Sequence, residues 1–162
     1  MKSLLALLFC IGALAASTAA QLPYEQLPEQ HRKAIDRTVE DFNSNQRKAF
    51  RFYELIDPVK ETELPFDRSY LNLHFILKET GCLQKSVKNL HQCRFLDSKP
   101  RMDCIGCFIA GSDHFEEEFI DCVQRNQVTK EIQNKRDEEC DKLHPYHLGG
   151  TIALASRQES ER

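Results

Sequence analysis

The sequence lacks several features that would assign it to a common class. It contains no tryptophan, no Asn-x-Ser/Thr acceptor for an N-linked glycan, and only 6 glycines in 162 residues. Beyond its first twenty residues, no apolar run approaches the ~20 residues that a membrane-spanning helix needs. We therefore expect a soluble mature chain without N-glycans and without stable membrane insertion.

An excess of charge of one sign is also absent. The chain has 22 Lys and Arg against 25 Asp and Glu, and no basic block stands out along it. Without such a block, binding to nucleic acid or to another polyanion is disfavoured.

Residues that support catalysis are not grouped either. The histidines are scattered, and His74 is interpreted as a half-exposed strand residue rather than a ligand. The acidic run 116–118 lies on a predicted strand, where neighbouring side chains alternate faces, so it indicates a solvated edge. We expect no enzymatic activity, no catalytic residue, no metal and no cofactor.

The first residues have the three-part form of a secretory signal peptide. Lys2 precedes an apolar run from Leu4 to Ala16, and small residues follow up to a cleavage site between Ala20 and Gln21. Residues 1–20 are therefore predicted to be removed and the protein to be secreted into the extracellular space. The mature chain keeps a net charge of about −4.

Removal of the signal peptide also removes one of the 7 cysteines, Cys10. An even set then remains in an oxidising compartment, which indicates a disulfide framework. Its members are Cys82, Cys93, Cys104, Cys107, Cys122 and Cys140.

The pattern of apolar residues predicts an α+β fold. Residues 28–45 have helical spacing, 49–56 and 70–80 alternate as strands, and 57–67 is interpreted as a polar loop. A hairpin is predicted around 111–113, followed by a charged segment at 128–143 that includes a possible helix. We expect one domain over 21–143 and a flexible tail over 144–162.

The hairpin gives a geometric test of the two close cysteines. If the turn centres on Asp113, Cys104 lies directly opposite Cys122, which favours a bridge between them. Cys107 points to the other face of the strand, so the pair fits neither a redox couple nor a zinc site.

Three pairings of the remaining four cysteines stay open at this point. Cys82 and Cys93 bracket a short polar loop that is cheap to close, and their bridge leaves Cys107 with Cys140.

These elements resemble the cystatin/cathelicidin-like group. The strand LHFILKETGC at 73–82 and the spacing of Cys104, Cys107, Cys122 and Cys140 resemble, within that group, the chemerin family. The resemblance implies a cystatin-like fold, with one long helix packed on an antiparallel sheet, and the bridges 82–93, 104–122 and 107–140.

The Gln-x-Val-x-Gly motif of cystatin-type inhibitors is missing, which disfavours inhibition of cysteine proteases. The acids and bases of RQESER balance, which disfavours the lytic peptide of a cathelicidin-like host-defence precursor. Both remain the alternative functions.

The chemerin resemblance implies a secreted chemoattractant and adipokine precursor. Extracellular serine proteases and carboxypeptidases would trim its C-terminus between Ser156 and Arg157, with 157–162 as the removable end. The new terminus would activate a G-protein-coupled chemokine-like receptor. This receptor would act in inflammation, leukocyte chemotaxis and adipocyte differentiation and metabolism. The protein itself would be a monomer. The implied receptor-binding residues are Tyr146, Gly149, Gly150, Ile152, Ala153, Leu154, Ala155 and Ser156. The family's segment is richer in aromatic residues than this one.

Overall fold

The computed structural model describes residues 23–144. The predicted signal peptide with its cleavage site at Ala20 and Gln21, and the predicted tail beyond His144, lie outside the described residues.

Two helices and five strands form the described part of the chain. In chain order they are α1 (Glu29–Asn43), β1 (Lys48–Leu55), β2 (Lys60–Leu64), β3 (Arg68–Leu83), β4 (Arg101–Ala110), β5 (Phe115–Gln124) and α2 (Lys130–Leu143). All strand pairs are antiparallel, in the order β1–β3–β4–β5, and β2 pairs with the first part of β3.

Helix α1 forms where the sequence places an apolar stripe behind a proline. Pro28 precedes the first turn, where the missing N–H of a proline costs little. Ala34, Ile35 and Val39 recur at helical spacing and are buried. At the other end, Asn43 Nδ2 donates to the carbonyl of Phe50 at 2.7 Å and its Oδ1 accepts from the Phe50 N–H at 2.8 Å. This side chain ends the helix and fixes it to β1.

The predicted strands and hairpin are confirmed. The strand predicted at 70–80 is the centre of β3, and Cys104 lies opposite Cys122 in the β4–β5 pair. The irregularity expected near Tyr53 is a register shift between Phe52 and Glu54.

One prediction for this region was wrong. Residues 57–67 were expected to be a polar loop, but Lys60–Leu64 forms β2 along β3, with Thr62 opposite Tyr70. No side chain of β2 is fully buried. The sequence KETEL therefore lacks the apolar alternation by which a strand is predicted. The turn that follows places Phe66 and Asp67 at φ values of 65° and 53°, the left-handed conformation that a tight hairpin turn requires.

The sheet is covered on both faces. The core under α1 contains the buried face of β3, Leu71, Leu73, Phe75 and Leu77, together with Phe108 of β4. On the opposite face, a smaller cluster packs under α2, formed by Tyr70, Ile105, Cys107, Ile109 and Cys140. The expected α+β, cystatin-like arrangement, a helix packed on an antiparallel sheet, is confirmed by this topology.

Three disulfides are present within the described residues, and one of them joins α2 to the sheet. They link Cys82 to Cys93, Cys104 to Cys122 and Cys107 to Cys140. Cys104 belongs to the core under α1 and Cys107 to the cluster under α2, so the two close cysteines point to opposite faces of β4. The Cys107–Cys140 bridge therefore attaches α2 to the face of the sheet opposite to the α1 core.

Close packing at Gly106 gives a test of this core. A Cβ at Gly106 would lie 2.6 Å from the Phe108 ring and 3.0 Å from Thr38 Oγ1, whereas a Cβ at Gly81 would meet nothing within 4 Å. Gly106→Ala is expected to lower the free energy of unfolding by about 1–3 kcal/mol through overpacking. Gly81→Ala is the matched control and is expected to change it by less than about 1 kcal/mol. Urea unfolding with the disulfides intact measures both, and equal midpoints would contradict the packing described.

Candidate functional site

Helix α2 brings the chain to the start of its C-terminal segment. Thr129 begins the helix, with its Oγ1 accepting a hydrogen bond from the Ile132 N–H at 3.3 Å. The helix is strongly charged, and only Arg136 and Cys140 on it are buried. Because its apolar stripe is narrow, α2 depends on a few specific contacts to stay on the sheet.

The first of these contacts is a buried guanidinium. Arg136, which is 1% exposed, donates from Nη1 to Asp103 Oδ1 at 2.7 Å and from Nη2 to the Asp103 carbonyl at 2.9 Å. Its Nε donates to Asp121 Oδ2 at 2.6 Å. One side chain of α2 thus binds both β4 and β5, in the bidentate manner that suits arginine.

The network continues through a histidine of β3. His74 Nε2 lies 3.1 Å from Asp103 Oδ1, and His74 Nδ1 lies 2.8 Å from Asp57 Oδ2. Asp57 belongs to the connection between β1 and β2. His74 is a partly buried residue of β3, as interpreted from the sequence, and in addition it links that connection to the α2 anchor.

These contacts shift the pKa values of their groups. Burial disfavours the charged form of His74, but hydrogen bonds to Asp103 and Asp57 outweigh it and raise the pKa of His74 above its ordinary value. Burial likewise opposes the charge of Asp103, but bonds from His74 and Arg136 lower the pKa of its carboxyl. The network is therefore favoured with the Asp103 carboxylate ionised and His74 charged.

The second contact region fixes the end of α2. Cys140 is bonded to Cys107 of β4, and the Tyr70 hydroxyl donates to the Cys140 carbonyl at 3.3 Å. The ring of His144 stacks edge-on against Tyr70, with centroids 4.7 Å apart. The end of α2 is therefore held to β4 by a disulfide and to β3 by the two contacts of Tyr70.

The predicted receptor-binding and processing residues do not take part in this geometry. Their roles stay predictions because all of them lie outside the described residues. They are Tyr146, Gly149, Gly150, Ile152, Ala153, Leu154, Ala155, Ser156 and Arg157. The acidic run on β5 is described: Glu118 pairs with Arg37 of α1 and Glu116 with Arg68 of β3. These two glutamates therefore tie hairpin β4–β5 to its neighbours.

The anchor itself was missed by reasoning from the sequence. One stripe of α2 has helical spacing and contains Ile132, Arg136, Cys140 and Leu143. Arg136 is the one charged residue in this otherwise apolar stripe. That pattern was a signal for a buried, paired arginine, because a charge is buried only with partners.

Comparison with known proteins identifies the family. The family model "Cathelicidins: Cathelicidin" matches residues 28–128, which runs from the start of α1 to just before α2. The chain belongs to the cathelicidin family. Members of this family are non-enzymatic precursors, so the chain is not an enzyme. Helix α2, with Arg136 and Cys140, lies beyond the matched residues.

Curated relatives agree with this assignment. Cathelicidin-related peptide Oh-Cath of Ophiophagus hannah is 31% identical over 105 residues, 64% of this chain and 53% of the relative. Cathelicidin-related peptide Pt_CRAMP2 of Pseudonaja textilis is 31% identical over 103 residues, 62% and 54% of the two chains. Cathelicidin-related antimicrobial peptide Na_CRAMP of Naja atra is 28% identical over 106 residues, 64% and 53%. The chain therefore spans about half the length of these relatives.

Among solved structures, the crystal structure of Al-CPI aligns with a TM-score of 0.46 at 13% identity, over 60% of this chain and 91% of that chain. Within residues 23–144 no helix is long and apolar enough to cross a membrane. In the same range, no group of three or more His, Cys, Asp or Glu side chains is placed to hold a metal ion.

The Arg136 anchor generates a prediction about α2. Arg136→Met removes the partner of buried Asp103 and is expected to lower the free energy of unfolding by about 3–5 kcal/mol. Amides of α2 should lose hydrogen-exchange protection, although the Cys107–Cys140 bridge still tethers the helix. Lys135→Met, at the neighbouring exposed position, is the matched control and should leave both properties near the parent values. Equal protection of α2 in the two variants would show that Arg136 is not its anchor.

The raised pKa of His74 gives a second prediction. Its contribution to stability is complete below the ordinary pKa of 6.5 and is lost as the pH rises through the raised value. The free energy of unfolding should therefore fall in the parent as the pH rises above 6.5, and fall less in His74→Gln. Urea unfolding at a series of pH values measures the difference, and parallel curves for the two proteins would refute the coupling.

Proposed function

We propose that this chain is a secreted precursor of chemerin type, in which a disulfide-bonded cathelicidin-family domain presents a C-terminal segment for proteolytic activation. The trimmed segment then acts as the ligand of a G-protein-coupled chemokine-like receptor, as a chemoattractant and adipokine. The observation that carries the proposal is the fixed departure point of the segment, at His144 behind the Cys107–Cys140 bridge.

A fixed departure point suits a ligand that reaches into a receptor. Residues 145–156, when fully extended, span at most ~40 Å. A segment of this reach can enter a receptor pocket while the folded domain stays outside. The anchor at Arg136 keeps α2 on the sheet, so the domain edge and the segment act as one ligand.

The charges of the segment explain why trimming would activate it. Residues 149–156, GGTIALAS, carry no charged side chain, whereas 157–162, RQESER, carry two of each sign. Carrying four charges into a pocket is costly unless each finds a partner. After cleavage behind Ser156, one terminal carboxylate remains, and a single cation of the receptor can bind it.

A second candidate function is a cathelicidin-like host-defence precursor. The family assignment favours it, and the relative from Naja atra is named an antimicrobial peptide. In that case the released segment itself would act on microbes. Its balanced charge is the argument against direct attack on anionic membranes, because such peptides draw on an excess of Lys and Arg.

The decisive experiment compares C-termini. Mature protein ending at Ser156 should activate the receptor with a potency roughly tenfold or more above protein ending at Arg162, since the charged residues are gone. Versions ending at Ala155 and Arg157 locate the active end, and a peptide of 145–156 with an amidated terminus tests the carboxylate. Receptor-dependent calcium release and leukocyte migration are the readouts.

The controls separate the two candidates. A version ending at Ser156 with the order of residues 145–155 scrambled should be inactive. Equal potency of the Ser156 and Arg162 forms, or no response to either, would refute the receptor-ligand proposal. Killing of bacteria by the free segment at concentrations that leave the receptor silent would favour the host-defence function instead.

A further inference from the structure

Cationic side chains form a row across the sheet at the end farthest from the hairpin tips. In the strand registers, Arg51 of β1 lies opposite Lys78 of β3, and Lys78 lies opposite Arg101 of β4. Arg125, just after β5, continues the row, since it and Arg101 both lie within 4 Å of Glu54 Oε1, at 3.8 Å and 3.5 Å. Like charges directly opposite each other on a sheet destabilise it. Glu54 offsets part of this repulsion at Arg101 and Arg125, and Asp97 Oδ1, 3.0 Å from Lys78 Nζ, offsets part of it at Lys78.

Two aromatic rings hold these cations in place. The Lys78 ammonium lies 4.6 Å from the Tyr53 ring centroid and 5.4 Å from that of Phe95. The Arg51 guanidinium lies 4.1 Å from the Phe95 centroid, and that of Arg101 lies 5.0 Å from the Tyr53 centroid. Cation–π contacts offset part of the repulsion without neutralising the charge. Lys78 is 5% exposed, so the row is built on a rigid base.

More cations lie beside the row in the connection between β3 and β4. Residues 84–100 contain four Lys and Arg and one acid, Asp97, although acids outnumber bases in the whole chain. The exposed members are Lys85, Lys88, Arg94 and Lys99. We call this connection together with Arg51, Lys78, Arg101 and Arg125 the basic end.

The connection is held against the sheet at several points. The Cys82–Cys93 disulfide closes it, the Gly81 N–H donates to the Arg94 carbonyl at 3.0 Å, and the Leu96 N–H donates to the Glu79 carbonyl at 2.9 Å. The exposed cations are thus presented from a fixed backbone. A polyanion that binds there orders less of the protein, which favours affinity.

We propose that the basic end binds a sulfated polysaccharide. The disulfide framework fits an oxidising, extracellular setting, where such chains are the polyanions a secreted protein meets. Repeated sulfates and carboxylates match a linear set of fixed cations, and arginine binds such planar or forked oxyanion groups well. The overall charge of the chain disfavours polyanion binding, but overall charge does not reflect cations that only the fold brings together.

Contacts in the same region disfavour the other polyanions. Single-stranded nucleic acid is bound by stacking bases on free aromatic faces. Here Lys78 and Arg101 cover Tyr53, while Arg51 and Lys78 cover Phe95, so those faces are occupied. An anionic membrane would add insertion of apolar side chains, and within the described residues the large apolar side chains exposed beside the basic end are Leu83 and Tyr53, of which Tyr53 is contacted by Lys78 and Arg101.

The test uses an immobilised heparin oligosaccharide and the mature protein. Lys85→Gln/Lys88→Gln/Arg94→Gln should weaken binding by roughly tenfold or more near physiological salt, and affinity of the parent should fall linearly on a log–log plot against salt. The matched control is Lys33→Gln/Lys60→Gln/Lys142→Gln, which removes the same charge from exposed positions on α1, β2 and α2. It should retain affinity within roughly twofold.

A second variant tests the row itself. Arg101→Gln/Arg125→Gln leaves the connection untouched and should also weaken binding, with the fold of each variant checked by circular dichroism. Equal losses in the two triple variants would overturn the proposal, because overall charge would then explain binding. Binding of unsulfated hyaluronan, single-stranded DNA or phosphatidylserine vesicles as tightly as heparin would overturn it as well. None of these measurements involves the receptor, so the result is independent of the proposed function.

Discussion

The alternation of side chains along β4 is the constraint on which the rest of the molecule depends. Cys107 is three positions after Cys104, an odd spacing on a strand, so one sulfur enters the core under α1 and the other enters the cluster under α2. The sheet can then be covered on both faces. A spacing of two or four residues would have placed both sulfurs on one face and left α2 without its covalent link to the sheet.

A buried ionic network completes the attachment of α2. Helix α2 has too few apolar side chains to hold itself on the sheet. The ion pairs of Arg136 with Asp103 and Asp121 attach it instead. Burying such charges gains little net stability compared with a well-packed apolar core, but it demands one geometry. The network thus fixes the position of α2 on the sheet, and His74 extends the network to the connection before β2.

The two ends of the sheet are chemically different. One carries the β2–β3 and β4–β5 hairpin tips, where the acidic residues of β5 pair with α1 and β3, and the C-terminal segment leaves nearby beside Tyr70. The other end carries the cations of β1, β3 and β4 and the connection stapled by Cys82–Cys93. A chain close to neutral overall therefore has two distinct ends, and the proposed signalling segment and the proposed polyanion surface lie at different ends.

The sequence by itself determined the features that depend on short-range periodicity. The α1 stripe, the alternation of β3 and the register of the β4–β5 hairpin were predictable because each is set by neighbours a few residues apart. Strand β2 was not, because KETEL buries no face and pairs only where β3 extends past β1. The partners of Arg136 and the cationic row were decided by tertiary structure alone. Their members come from different strands and helices, and only long-range pairing sets the distances on which charge interactions depend.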